Sequence, residues 1–286
     1  MLVLIVRLVV ALTLMSDKTP GEQRIADAFA RAKAENRAAL IVYYTAGFPN
    51  LAVAKQCFTA AVKNGADILE IGLPFSDPVM DGPIIQQANQ VVLDAGIRIA
   101  AQLELIRSLG DLPVPKVVMT YITIADTRGY VAFANECAAA GVDGVILPDL
   151  PADAAEEWCA AAKAAGIAPI FLASSVSTDA RLDAIAEVSR GWVYAAGLLG
   201  VTGVNAVSDE VTRHLVARVR QRTTLPIAVG IGVKDRTSAH AVASYADGVI
   251  VGSAVIAAAQ NGAIATAPER VGVLVAELAK GMHREK

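Results

Sequence analysis

Two carboxylates stand where acid/base chemistry would need them. Glu70 lies inside Ile68-Leu69-Glu70-Ile71-Gly72, a run that reads as a buried strand. An unpaired carboxylate between large aliphatic side chains costs several kcal/mol, so its presence asks for a reason. The strand runs straight into Pro74-Phe75-Ser76-Asp77-Pro78-Val79-Met80-Asp81-Gly82-Pro83, a stiff, acidic, proline-punctuated loop. A strand-end carboxylate with a second carboxylate on the adjoining loop is how a barrel enzyme assembles acid/base chemistry. Plainer readings stand beside this one. Glu70 could pair with a buried Lys or Arg, and Asp81, before Gly82, could make an ordinary turn. Asp77, between Ser76 and Pro78, is read as a turn residue.

Three glycine clusters follow late strands: Gly200-Val201-Thr202-Gly203, Gly230-Ile231-Gly232 and Gly252-Ser253. Glycine lets backbone N–H groups approach an anion closely. A helix N-terminus after Gly252 adds a favourable dipole. Together they predict a phosphate site, against the reading of turn glycines with Ser253 as a plain N-cap. Tyr121 and Tyr194 close the third and sixth strand candidates and could pack or line an aromatic pocket. Tyr43 and Tyr44 carry the same ambiguity, with core favoured. His214, His240 and His283 are read as surface residues.

The elements that must position these residues alternate along the chain. A leading helix covers Gly21 to Glu35. Strand candidates are Ala39–Tyr44, Ile68–Ile71, Lys116–Thr120, Gly144–Leu147, Pro169–Leu172, Gly191–Ala195, Pro226–Val229 and Gly248–Val251. Each is short, Val/Ile-rich and not alternating, as expected of parallel strands buried on both faces. Helices fill the gaps; the first is capped by Asn50 and ends at Asn64-Gly65. Lead-ins repeat too: Asp67, Asp143 and Asp247 precede some strands, and Pro115, Pro169 and Pro226 start or precede others. Eight βα units without a linker predict a single (β/α)₈ TIM barrel with an extra N-terminal helix. Its active face lies at the C-terminal ends of the strands.

Composition sets the bounds. The 286 residues are 55% hydrophobic, enough for a large core. A net charge of −3 leaves no basic footprint for nucleic acid. Cys57, Cys137 and Cys159 are isolated, and neither they nor the histidines show metal-ligand spacing. The chain is therefore read as cytoplasmic, without metal. Met1 to Leu14 is almost wholly apolar but short for a membrane span and interrupted by Arg7. The preferred account is an upstream start codon with Met15 as the natural first residue; a secretion or membrane signal and an added ordered element are the other accounts. Residues 1–20 are accordingly taken as a non-core extension and 21–286 as the barrel domain.

Over residues 25 to 262 the chain resembles the tryptophan synthase alpha chain family. The resemblance rests on Leu69-Glu70-Ile71-Gly72-Leu73-Pro74-Phe75-Ser76-Asp77-Pro78, Asp81-Gly82-Pro83, Gln86-Gln87-Ala88, Leu147-Pro148-Asp149-Leu150-Pro151, Gly200-Val201-Thr202-Gly203 and Gly248-Val249-Ile250-Val251-Gly252-Ser253-Ala254. It implies retro-aldol cleavage of indole-3-glycerol phosphate to indole and D-glyceraldehyde 3-phosphate, in tryptophan biosynthesis. Glu70 matches the family's general acid/base, and Asp81 the carboxylate that accepts the indole N–H. Tyr194 matches a tyrosine beside the site, Tyr121 an indole-pocket residue, and Gly203, Gly232, Gly252 and Ser253 phosphate-loop positions. No cofactor is implied in this chain; pyridoxal phosphate belongs to the beta chain, the implied partner in an α₂β₂ heterotetramer. Two departures bear on that partnership. Gly197-Leu198 stands where the family usually has Ser-Arg, and Thr123-Ile124 where it tends to have Asn-Pro. A free-standing lyase releasing indole, or a non-catalytic barrel that activates a beta chain, are the competing expectations. The presence of both Glu70 and Asp81 counts against the latter.

Overall fold

The computed structural model describes residues 18–197, 206–230 and 232–284. Residues 1–17, 198–205, Ile231 and 285–286 lie outside the described residues, and with them the expectations for Met15, Leu198 and Gly203. Eight parallel strands close into a barrel in sequence order: β1 (Ala39–Thr45), β2 (Ile68–Gly72), β3 (Lys116–Met119), β4 (Gly144–Ile146), β5 (Ala168–Ser174), β6 (Val193–Ala196), β7 (Ile227–Gly230) and β8 (Gly248–Val251). β8 pairs back onto β1, with Ile41 opposite Ile250. Strand cores fall where the apolar runs predict them, with ends shifted by a residue or two. β6 starts at Val193 rather than Gly191 because Gly191 takes a left-handed φ of +75° and breaks the extended run.

Residue parity sorts the strands into two cores. Ile41, Ile68, Val117, Ile146, Ile170, Ala228 and Ile250 fill the barrel interior. Leu40, Val42, Leu69, Ile71, Val118 and Val249 face the surrounding helices. Both faces are dry, which is why these strands read as unbroken apolar runs. The leading helix, α1 (Pro20–Ala34), is capped by Thr19 Oγ1, which accepts from Glu22 N at 3.3 Å. Its Ile25, Ala28, Phe29 and Ala32 plug the N-terminal mouth of the barrel. There Phe29 meets Trp192 with ring centroids 5.9 Å apart. The next helix, α2 (Leu51–Lys63), is capped as expected: Asn50 Oδ1 accepts from Val53 N at 3.0 Å, and Asn64 ends it.

The aspartate lead-ins have a common physical cause. Asp67 accepts from Leu40 N at 2.8 Å, Asp143 from Lys116 N at 2.8 Å and Asp247 from Ile227 N at 2.9 Å. Each carboxylate thus satisfies a backbone donor of the strand beside its own, at the face opposite the site. Arginines neutralise all three: Arg37 and Asp67 form a two-pronged pair, Arg24 reaches Asp143, and Arg220 reaches Asp247 at 2.8 Å.

The remaining helices sheathe the barrel. They are α3 (Pro83–Asp94), α4 (Ile99–Arg107), α5 (Ile122–Arg128), α6 (Tyr130–Ala139), α7 (Glu156–Ala165), α8 (Asp179–Val188), α9 (Ala206–Arg220), α10 (Arg236–Ala243), α11 (Ser253–Gln260) and α12 (Ala267–Gly281). Among the described residues no helix is long and apolar enough to cross a membrane. Cys57, Cys137 and Cys159 are free.

Candidate active site

Glu70 points into the barrel from the middle of β2, opposite Tyr43 of β1 and Val117 of β3 in register. Its side chain is 1% exposed, and Oε2 has no hydrogen-bond partner among the described residues. No Lys or Arg among the described residues pairs with it, which leaves the scaffold reading without a partner there. Burial pushes the carboxyl pKa up to about 8, and the nearby Asp81 charge adds to the rise. Glu70 therefore holds its proton to higher pH than an ordinary glutamate.

Asp81 arrives from the loop. The backbone turns tightly there: Val79 N donates to Asp77 O at 3.0 Å and Asp81 N to Pro78 O at 3.1 Å. Asp77 is exposed and takes part in this turn. Pro83 then starts α3 as its first residue. Asp81 Oδ2 accepts from Asn89 Nδ2 at 3.0 Å. Burial raises the Asp81 pKa to about 6, while bonds from Asn89 and Tyr121 pull it down. Both carboxyls on the cavity are thus raised, Glu70 further than Asp81, which pushes their pKa values apart.

That cavity measures about 200 Å³ at the C-terminal mouth of the barrel. It gathers Glu70, Asp81, Tyr194, Gly232, Gly252 and Ser253 with the apolar Ile85, Met119 and Ile250. The aromatic residues divide between site and scaffold. Tyr194 lines the cavity, and its hydroxyl presses so closely on Gly230 that a side chain there would collide with it. Tyr43 also lines the cavity, packed in the same way against Gly72, whereas Tyr44 turns outward onto Phe48 and Phe58. Both are buried core, as the sequence favoured; strand parity in addition turns Tyr43 toward the cavity. Tyr121 is stacked on Phe75, centroids 5.1 Å apart, and its hydroxyl accepts from Met80 N at 3.0 Å. It braces the loop that carries Asp81.

Gly230, at the end of β7, and Gly252, after β8, border the cavity beside the first residue of α11. Gly252 is the N-cap and no side chain makes a capping bond, so Ser253 is not a plain N-cap. Its exposed side chain sits at the positive end of that helix. Asn89 and Thr45, which the sequence did not single out, stand buried behind Asp81, Asn89 bonded to both. Asn89 was readable as an anomaly: with Ile85, Ala88 and Val92 it shares the apolar face of α3. His214 and His283 are exposed and His240 is half-buried, away from the cavity lining. Among the described residues no three His, Cys, Asp or Glu side chains gather to hold a metal ion.

Residues 29–283 match the family model for the tryptophan synthase alpha chain. The chain belongs to the tryptophan synthase alpha chain family. It is 44% identical over 262 residues to the tryptophan synthase alpha chain of Streptomyces avermitilis, covering 91% of this chain and 95% of that one. Against the counterpart from Thermobifida fusca it is 45% identical over 257 residues, covering 88% and 95%. In three dimensions it resembles a chain of Mycobacterium tuberculosis tryptophan synthase with a TM-score of 0.86 at 41% identity, covering 92% of this chain and 99% of that one. As a tryptophan synthase alpha chain family member it carries the barrel, the loop and both carboxylates in one connected site. The departure at Thr123-Ile124 falls on the first turn of α5, where Thr123 is exposed and Ile124 half-buried.

Proposed function

We propose that this chain cleaves indole-3-glycerol phosphate to indole and D-glyceraldehyde 3-phosphate by a retro-aldol step run by Glu70 and Asp81. Protonated Glu70 gives its proton to indole C3, making a cationic indolenine. Ionised Asp81 accepts the indole N–H and stabilises that cation. The Glu70 carboxylate then takes the proton of the adjoining glycerol hydroxyl. As it does so, the bond from C3 to that carbon breaks. Its electron pair restores the indole ring, the carbon becomes the aldehyde, and Glu70 is protonated again.

One observation carries this reading: the fully buried carboxyl of Glu70 and the Asn89-held carboxyl of Asp81 line a single small cavity. The glycines after β7 and β8, with the start of α11, suit the phosphate. The step uses proton transfers alone, so the reading places no cofactor in this chain. A pyridoxal-phosphate-bearing beta chain in an α₂β₂ assembly receives the indole, and the cytoplasm is the expected compartment.

The test is indole release from indole-3-glycerol phosphate by wild type and Glu70→Gln. The variant should lose about a hundredfold or more in kcat and keep its affinity for substrate. Unchanged turnover would remove Glu70 from the role. Adding a beta chain should accelerate the wild type.

A further inference from the structure

Asp81 is held by a set of side chains that no step above uses. Asn89, 2% exposed on α3, donates Nδ2 to Asp81 Oδ2 at 3.0 Å. Its Oδ1 accepts from Thr45 Oγ1, fully buried at the end of β1, at 3.2 Å. The Tyr43 hydroxyl lies 3.4 Å from Thr45 Oγ1.

The chemistry of these groups sets the direction of every bond. An ionised carboxylate only accepts. Asn89 must then turn its NH₂ toward Asp81, which leaves its carbonyl for Thr45. Thr45 donates there and is free to accept from Tyr43. The donors line up from Tyr43 through Thr45 and Asn89 to Asp81, and such chains polarise one another. A protonated Asp81 would lose the charge that orients the row. Position matters as well. Asp81 rides on a loop, whereas Thr45 and Asn89 sit on a strand and a helix, so rigid elements aim a carboxylate that its own backbone does not.

We propose that Asn89, oriented by Thr45, is a positioning residue for the cleavage: it ties down Oδ2 of Asp81 and leaves Oδ1 to meet the indole nitrogen. This rests on the reading of Asp81 given above. Other titratable groups also face Asp81: Glu70 from β2, Tyr43 from β1, Tyr121 from the end of β3 and Tyr194 from β6. None of these changes in the variants below, so a movement of the Asp81 limb of the pH profile reports on Asn89.

The experiment measures kcat, KM and their pH dependence for indole release in Asn89→Ala, Thr45→Val, Thr45→Ser and Asp81→Asn. Asn89→Ala should lower kcat about 10- to 100-fold, the worth of one hydrogen bond to a charged group. KM should change by less than about threefold, and the acid limb should move to higher pH. Thr45→Val should move both in the same direction by less, and Thr45→Ser, which keeps the hydroxyl, should regain most of the loss. A merely structural role would lower stability and leave the acid limb in place. If Asn89→Ala and Thr45→Val keep wild-type kcat and acid limb while Asp81→Asn collapses, the positioning role is overturned and the reaction stands. If Asp81→Asn itself keeps full turnover, the reading of Asp81 fails first. Should Asn89→Ala not fold, the contrast between Thr45→Val and Thr45→Ser decides the question.

Discussion

Asp81 is bonded by Asn89 at 3.0 Å across the cavity from Glu70, whose Oε2 has no partner among the described residues. The asymmetry lets Asp81 release its proton at lower pH than Glu70. Glu70 is buried and Asp81 half-buried, and desolvation alone raises the pKa of each. The donors on Asp81 keep it ionised at a pH where Glu70 still holds its proton.

The pH dependence of turnover follows. Activity needs Asp81 ionised and Glu70 protonated. With Asp81 at about 6 and Glu70 at about 8, kcat should rise through the first value and fall through the second. A single rising limb that stays flat into the alkaline range would contradict the assignment of Glu70 as the acid.

Stability should carry the opposite signature at Glu70. Its folded pKa, about 8, lies above the ordinary value of 4.5. Between those values the folded state holds a proton that the unfolded state has released, so stability falls as pH rises across that window. Gln cannot titrate. The stability of Glu70→Gln relative to wild type should therefore grow between mildly acidic and mildly alkaline pH, by on the order of 3 kcal/mol. Denaturant melts at several pH values would measure it, and a constant difference would place Glu70 in an ordinary carboxylate environment.

Ser253→Asp separates helix stability from phosphate binding. A carboxylate in the first turn of α11 suits the helix dipole and should cost no stability. It would occupy the position proposed for the substrate phosphate. KM should rise at least about tenfold, with kcat retained at saturation. A normal KM would move the phosphate elsewhere.

The opposite face of the barrel bears on folding alone. Asp67→Ala leaves Arg37 with only the exposed Glu35 carboxylate and the Ala38 carbonyl, and strips Leu40 N–H of its acceptor. The loss should be about 3 kcal/mol of unfolding free energy, with kcat unchanged in the folded enzyme. Thermal melts and indole assays on one preparation would check both halves.

Much of this was legible in the sequence because local signals agree with the final fold. The apolar runs, the lead-ins and the loop from Pro74 to Pro83 mark the strands and the site. What escaped depends on which way a side chain points. Tyr43 and Tyr44 are adjacent, both flanked by apolar residues, and register alone sends one to the cavity and the other to the helices. Asn89 needs α3 laid against β1 before its amide can link Thr45 to Asp81. The aspartate lead-ins were visible as a repeat, but the strand each one serves is set by barrel closure.

The central claim is that Glu70 is a neutral acid beside an ionised Asp81. Infrared difference spectra of wild type against Glu70→Gln, titrated with pH, test it most directly. The account predicts a protonated carboxylic acid band at neutral pH, assigned to Glu70 by its loss in the variant and fading with a midpoint at about 8. A Glu70 signal of the ionised form throughout the neutral range would contradict it.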